Sequence, residues 1–242
     1  MEVRTSVIER RLQNVKRIIA VASGKGGVGK SLVASNLALH LSNKGYCVGL
    51  FDLDLYGPSS HIILGITDFG FPEEEKGIKP VKIHDINFMS LVYFSEDKPS
   101  PFRGVDITNI IIELLAITQW GQLDYLIIDM PPGIGDEVLD IIKYIHRCEF
   151  LVVTTPSKVA MGAVGKLLSI LKELNLPILG VIENMKMKKD NFIKNTVSKQ
   201  DISYLGGISF DYDLEQAIGD CSLIMKTNFF KELGNCVKDT AV

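Results

Sequence analysis

Residues Gly24 to Ser31 read Gly-Lys-Gly-Gly-Val-Gly-Lys-Ser, a glycine-rich stretch closed by a cation and a hydroxyl. Gly24, Gly26, Gly27 and Gly29 allow backbone angles and close approaches that a Cβ forbids, so the loop's N–H groups, Val28's among them, can line one concavity. A helix beginning at the loop adds its positive N-terminal end, and the whole makes an anion cradle suited to phosphates. Lys30 can neutralise β- and γ-phosphate oxygens, and the Ser31 hydroxyl is placed to ligate Mg²⁺. This is the P-loop pattern, and it predicts binding of Mg·ATP followed by hydrolysis.

Three carboxylates close apolar runs elsewhere: Asp52 and Asp54 in Val48-Gly-Leu-Phe-Asp-Leu-Asp54, and Asp129 after Leu126-Ile-Ile. Ligands of open α/β sheets collect at strand ends, and a carboxylate buried there needs a cation or hydrogen-bond donors. Hydrated Mg²⁺ supplies both. Asp129 is assigned to bond a magnesium water, Asp54 to orient the attacking water, and Asp52 to the magnesium shell or Ser31. Either Asp52 or Asp54 could instead cap a helix. Pro131, Pro132 and Gly133 follow Asp129 and would form a loop that senses the γ-phosphate.

These residues need a scaffold of short apolar strands alternating with helical segments. Strands are predicted at 17–22, 47–52, 88–92, 125–129, 150–155 and 178–183, several of them apolar on consecutive residues as in strands covered on both faces. Between them, Val33, Leu37 and Leu41 mark one helix face, and Val164, Leu167, Leu168, Leu171 and Leu174 another. The expected fold is α/β: a doubly wound, mostly parallel sheet in one P-loop domain over residues 1–242. Residues 66–79 and 186–203 break the alternation and read as long surface loops.

The 242 residues carry a net charge of −3, which advertises neither nucleic acid nor an anionic membrane as a partner. Four cysteines lie far apart, with no Cys-x-x-Cys pair. Residues 1–11 lack a signal-type apolar core, and no apolar run has membrane-spanning length, so a cytoplasmic location with reduced thiols is expected.

Lys25, directly after the first glycine, is absent from ordinary P-loops. With it, Gly-Lys-Gly-Gly-Val-Gly-Lys-Ser resembles the deviant Walker A motif of the MinD/ParA/Mrp branch of P-loop ATPases. That resemblance implies a homodimer sandwiching two ATP molecules, with Lys25 reaching the partner's nucleotide. Such a second cation acts as an arginine finger does, a device worth roughly 10³–10⁵ in rate. Asp52-Leu-Asp-Leu-Tyr-Gly-Pro-Ser59, Trp120 through Gly133, Val152-Val-Thr-Thr-Pro156 and Gly180-Val-Ile-Glu-Asn-Met185 narrow the likeness to the Mrp/ApbC type, the iron–sulfur cluster carrier ATPases. By the same similarity Asn184 would hydrogen-bond adenine, and an iron–sulfur apo-protein or scaffold would be the client.

The sequence also departs from that type. Its usual Cys-x-x-Cys after the Glu-Asn-Met block is replaced by Lys186-Met-Lys-Lys-Asp-Asn-Phe192, so a cluster is not expected to bind through paired cysteines. A cluster held by Cys221 and Cys236 across a dimer axis is the variant left open. Leu32 stands where a hydroxyl is common, leaving backbone donors for the α-phosphate, and Phe102 precedes Arg103 where tryptophan is usual, which puts any role of Arg103 in doubt. The alternative function is a MinD/ParA-like spatial-organisation ATPase, marked by a lipid- or DNA-binding element. The tail's Phe229, Phe230, Leu233 and Val237 share a helix face with few cations nearby, a pattern favouring packing on the domain.

Overall fold

The computed structural model describes residues 3–55, 57–67, 72–95, 105–188 and 190–238. Its strands are β1 (Val15–Ser23), β2 (Val48–Asp52), β3 (Val81–Ile83), β4 (Ile86–Ser90), β5 (Leu123–Asp129), β6 (Cys148–Thr154), β7 (Ile178–Lys186) and β8 (Tyr204–Ser209). They form one sheet in the order β3-β4-β2-β5-β1-β6-β7-β8. Every neighbouring pair is parallel except β3 and β4. From β1 the chain moves out to β2 through β4, returns to β5, and crosses to β6 through β8 on the other side. The strand ends around β1 are therefore the switch point at which open α/β sheets take their ligands.

Burial explains the apolar strands. Residues Ile18 to Ser23 of β1 are at most 2% exposed, as expected of a central strand covered on both faces. The helix Lys30–Asn43 buries Val33, Leu37 and Leu41 completely. The helix Lys158–Glu173 opens on Ser157, whose side chain accepts the Ala160 N–H, and it buries Val164, Leu167, Leu168 and Leu171. Leu174 departs from the expected stripe: it lies just beyond the helix end and is half exposed.

Three other expectations need correction. The fourth strand stops at Ser90, because Val92 already opens a short helix, Val92–Ser95. The supposed loop 186–203 contains the helix Phe192–Ser198, anchored by buried Ile193 and Val197. Strand β8 follows it, unannounced by the sequence because Gly206 and Gly207 interrupt its apolar pattern. Segment 66–79 is largely irregular where described, tied down by bridges from Ile78 to Glu74 and Thr118. Residues 68–71 of that segment, and Arg103, lie outside the described residues.

The C-terminal helix Asn228–Val237 packs on β8 and on the helix Lys30–Asn43. Phe229, Phe230, Leu233 and Val237 are buried, and the Phe230 ring meets His40 edge-on at 5.6 Å. Its apolar face is thus used up inside the fold. Among the described residues no helix is long and apolar enough to cross a membrane.

Candidate nucleotide site

Strand register brings the charged residues together. Asp52 and Asp129 are direct Cα partners at the ends of β2 and β5, and Val21 of β1 pairs with Asp129 from the other side. Three residues beyond Val21 the chain enters the glycine loop at Gly24, so the loop rises beside both carboxylates. Met130 N–H and Gly133 N–H donate to the carbonyls of Val21 and Ser23 at 3.1 and 3.0 Å, fastening the Pro131–Gly133 turn to the start of the loop.

Gly24 is where the loop needs glycine for space: a Cβ there would stand 2.5 Å from the backbone of Ala163 and Val164. Gly29 is where it needs glycine for conformation, since its φ is +80° and it caps the helix Lys30–Asn43. The loop encloses a cavity of about 390 Å³ whose wall includes Lys25, Gly26, Lys30, Ser31, Asp54 and Pro132.

Lys30 is buried at the cavity floor. Its ammonium is hydrogen-bonded to Asp129 Oδ1, lies 3.7 Å from Asp54 Oδ2, and donates to Ser31 Oγ at 3.4 Å. Asp129 is fully buried, and its other oxygen accepts the Ser60 hydroxyl at 3.4 Å. Asp52 accepts the N–H groups of Asp54 at 3.1 Å and Ser60 at 3.2 Å. It therefore braces the turn after β2 and the first residue of the helix Ser60–Ile63. Burial and the neighbouring Asp129 charge push the Asp52 carboxyl up to about 7. Asp129 and Asp54 thus share the Lys30 ammonium with buried Asp52 beside Asp129, a negative excess that a divalent cation would relieve. Hard oxygen donors with water and phosphate oxygens suit Mg²⁺. Among the described residues no three His, Cys, Asp or Glu side chains form an all-protein metal cage.

Asn184 ends up beneath the loop. Its side chain is buried, and Nδ2 donates to the Val28 carbonyl at 2.9 Å. It also borders a second cavity of about 380 Å³ that shares Leu32 and Ile218 with the first. Met185, Phe210 and Tyr212 form much of that less polar wall, which has room for a purine. Ser60, Met185, Phe210 and Tyr212 were not legible as site residues. Phe210 and Tyr212 follow β8, the strand that the two glycines concealed.

Among the described residues the four cysteines are free and join no group of three metal-ligating side chains. Cys148, Cys221 and Cys236 are buried, and burial raises the thiols of Cys221 and Cys236 to about 11. Cys236 packs against Gly206, and the Cys221 thiol points to the Leu64 carbonyl. Thiolates, the form that binds iron, are disfavoured at both.

A mostly parallel sheet with a glycine loop between its central strand and a helix defines a P-loop NTPase, a nucleotide-binding class. More narrowly, residues 14–238 match the family described as ParA: NUBPL iron-transfer P-loop NTPase, and the chain belongs to that family. The iron-sulfur cluster carrier protein of Pseudomonas fragi is 42% identical over 177 residues, which cover 72% of this chain and 62% of that protein. The chain thus spans less than two thirds of that curated relative's length. Among solved structures, a nucleotide-binding protein from Archaeoglobus fulgidus in complex with ADP superposes with a TM-score of 0.78 at 29% identity, covering 92% of this chain and 93% of that one. The septum site-determining protein MinD of Pyrococcus horikoshii, complexed with Mg-ADP, shares the fold at a TM-score of 0.70 and 20% identity, with 92% and 95% covered.

Proposed function

We propose that the chain binds Mg·ATP at the Gly24–Ser31 loop, hydrolyses it as a homodimer, and serves iron–sulfur cluster assembly or transfer without holding a cluster on paired cysteines. The observation that carries the reading is that Lys30, Ser31 and Asp54 line the loop cavity while buried Asp129 bonds the Lys30 ammonium behind them. The cluster connection comes from the named relative and is a proposal for this chain.

Lys30 is placed to meet the β- and γ-phosphates. Mg²⁺, when bound, supplies positive charge across those phosphates. Ser31 would ligate it and Asp129 would bond one of its waters, while Asp52 keeps holding the turn that carries Asp54. Asp54 then orients a water towards the γ-phosphate. Lys25, on the cavity rim, is free to extend to the nucleotide of a second copy. Asn184 and the cavity beside Met185, Phe210 and Tyr212 would receive the base.

The testing experiment is steady-state ATP turnover of the parent and of Lys25→Ala, each with nucleotide affinity measured by titration. The parent should turn over slowly, with Lys25→Ala binding ATP normally and losing most of its turnover or its ATP-dependent dimer. Parental turnover in Lys25→Ala would remove the trans-acting lysine. Anaerobic reconstitution with iron and sulfide should leave no protein-bound charge-transfer absorbance after desalting. A retained chromophore would mean that the buried thiols do hold a cluster.

A further inference from the structure

Strand β7 carries chemistry on both faces. Asn184 points to the phosphate loop, while its neighbour Glu183, on the opposite face as strand alternation requires, is completely buried. Glu183 Oε2 accepts the Tyr204 hydroxyl from β8 at 2.7 Å and the Lys186 ammonium at 2.9 Å. Its Oε1 is buried with no hydrogen-bond partner among the described residues. An ionic group kept in such a place is expensive, and well-packed apolar side chains could fill the same volume. Its presence there calls for a task other than packing.

The local backbone suggests the task. The β7–β8 pairing slips between Val181 and Ile182 and again between Glu183 and Lys186. Met185 sits at φ +58°, a left-handed conformation unfavourable for a side chain of its type. On the β8 side regular pairing therefore does not fix the end of β7, and pairing with β6 stops at Glu183, one residue short of Asn184, which must meet the Val28 carbonyl. The contact is close: a Cβ on Gly29 would collide with the Asn184 amide nitrogen. Lys186 adds a second tie by donating to the Asp190 carbonyl at 2.7 Å, holding the chain just beyond the strand.

We propose that Glu183, Tyr204 and Lys186 form a buried polar clamp that sets the end of β7, so that Asn184 braces the phosphate loop from below. The three are positioning residues for nucleotide binding, acting through Asn184. This rests on the nucleotide-binding reading above, but the brace is also a property of the empty protein.

The test uses the full chain with Tyr204→Phe, which removes one hydroxyl, and Lys186→Met, which removes the charge from a partly exposed position. Magnesium ADP is titrated, and amide exchange of residues 24–31 is followed without nucleotide. Each variant should weaken ADP roughly fivefold, the loss of about one hydrogen bond, and exchange in the loop should quicken. Leu115→Ala, a core truncation in the helix Val105–Ile117, controls for lost stability away from β7, β8 and the loop and should leave loop exchange at the parental rate. Parental ADP affinity and parental loop exchange in both clamp variants would overturn the proposal. So would equal quickening of the loop by Leu115→Ala. A parent that binds no ADP would sink the nucleotide reading instead, while loop exchange in the empty protein would still report on the clamp.

Discussion

The two halves of the sheet's ligand edge handle buried charge differently. Around β1, β2 and β5 Asp54 and Asp129 crowd the Lys30 ammonium, and neighbouring Asp52 is pushed up to about 7 because burial and Asp129 oppose its ionisation. Around β7 and β8 one buried carboxylate is met by one ammonium and one hydroxyl. The first half is under-neutralised in a way that a metal–phosphate ligand can resolve. The second is balanced internally and holds backbone in place. A site built for exchange leaves a charge to be matched, and a site built for support does not.

The sharpest way to break this contrast is to remove Lys30. Lys30→Met should abolish nucleotide binding, with affinity falling by roughly a hundredfold or more, since a buried phosphate cation is lost. It should also destabilise the empty protein by about 3–5 kcal/mol, because Asp129 and Asp54 then share no ammonium. Adding Asp129→Asn should return much of the stability, read by urea unfolding, while binding stays lost. A Lys30→Met protein as stable as its parent would mean that the carboxylates are balanced by something other than this lysine.

A gentler probe is pH. Asp52 titrates near 7 in the folded chain against 3.8 for the ordinary carboxyl. Between those values the folded state keeps a proton that the unfolded state has released. Stability from this group is therefore fully present at the acid end and is lost as pH rises through about 7. The metal-free, nucleotide-free protein should show that decline in urea midpoints. In Asp52→Asn the decline should flatten, although the baseline falls because one backbone N–H loses its carboxylate acceptor. A parental slope in Asp52→Asn would place the proton elsewhere.

The same two halves differ in how far the sequence discloses them. The loop, Lys30 and the strand-end aspartates are legible because each is a chemical type at a fixed offset from an apolar run. Register could not be read, so nothing announced that Asp52 would accept the Ser60 N–H, or that Lys30 would bond Asp129. In the other half the signals fail for physical reasons. Gly206 and Gly207 erase the strand pattern of β8, and the lysines and asparagines of 186–203 hide a helix held by only Ile193 and Val197. Asn184 was legible through resemblance alone, and its bond to Val28 depends on a packing contact more than 150 residues away in the chain.

The smallest effects isolate how the loop is seated. Gly24 and Gly162 both adjoin the helix Lys158–Glu173, one packed on its backbone and the other within it, with nothing near the place a Cβ would take. Gly162→Ala should therefore stabilise the protein by about 0.5–1 kcal/mol, the ordinary helix preference for alanine. Gly24→Ala should destabilise it by about 1–3 kcal/mol, because loop or helix must move to admit the methyl group. That movement displaces the loop N–H groups, so Gly24→Ala should also weaken ADP, whereas Gly162→Ala should leave ADP affinity at the parental value. Urea midpoints and ADP titrations on the two variants separate backbone preference from seating. If Gly24→Ala unfolded and bound like the parent, the loop would not be seated on this helix, and the phosphate half would owe its shape to the glycine angles alone.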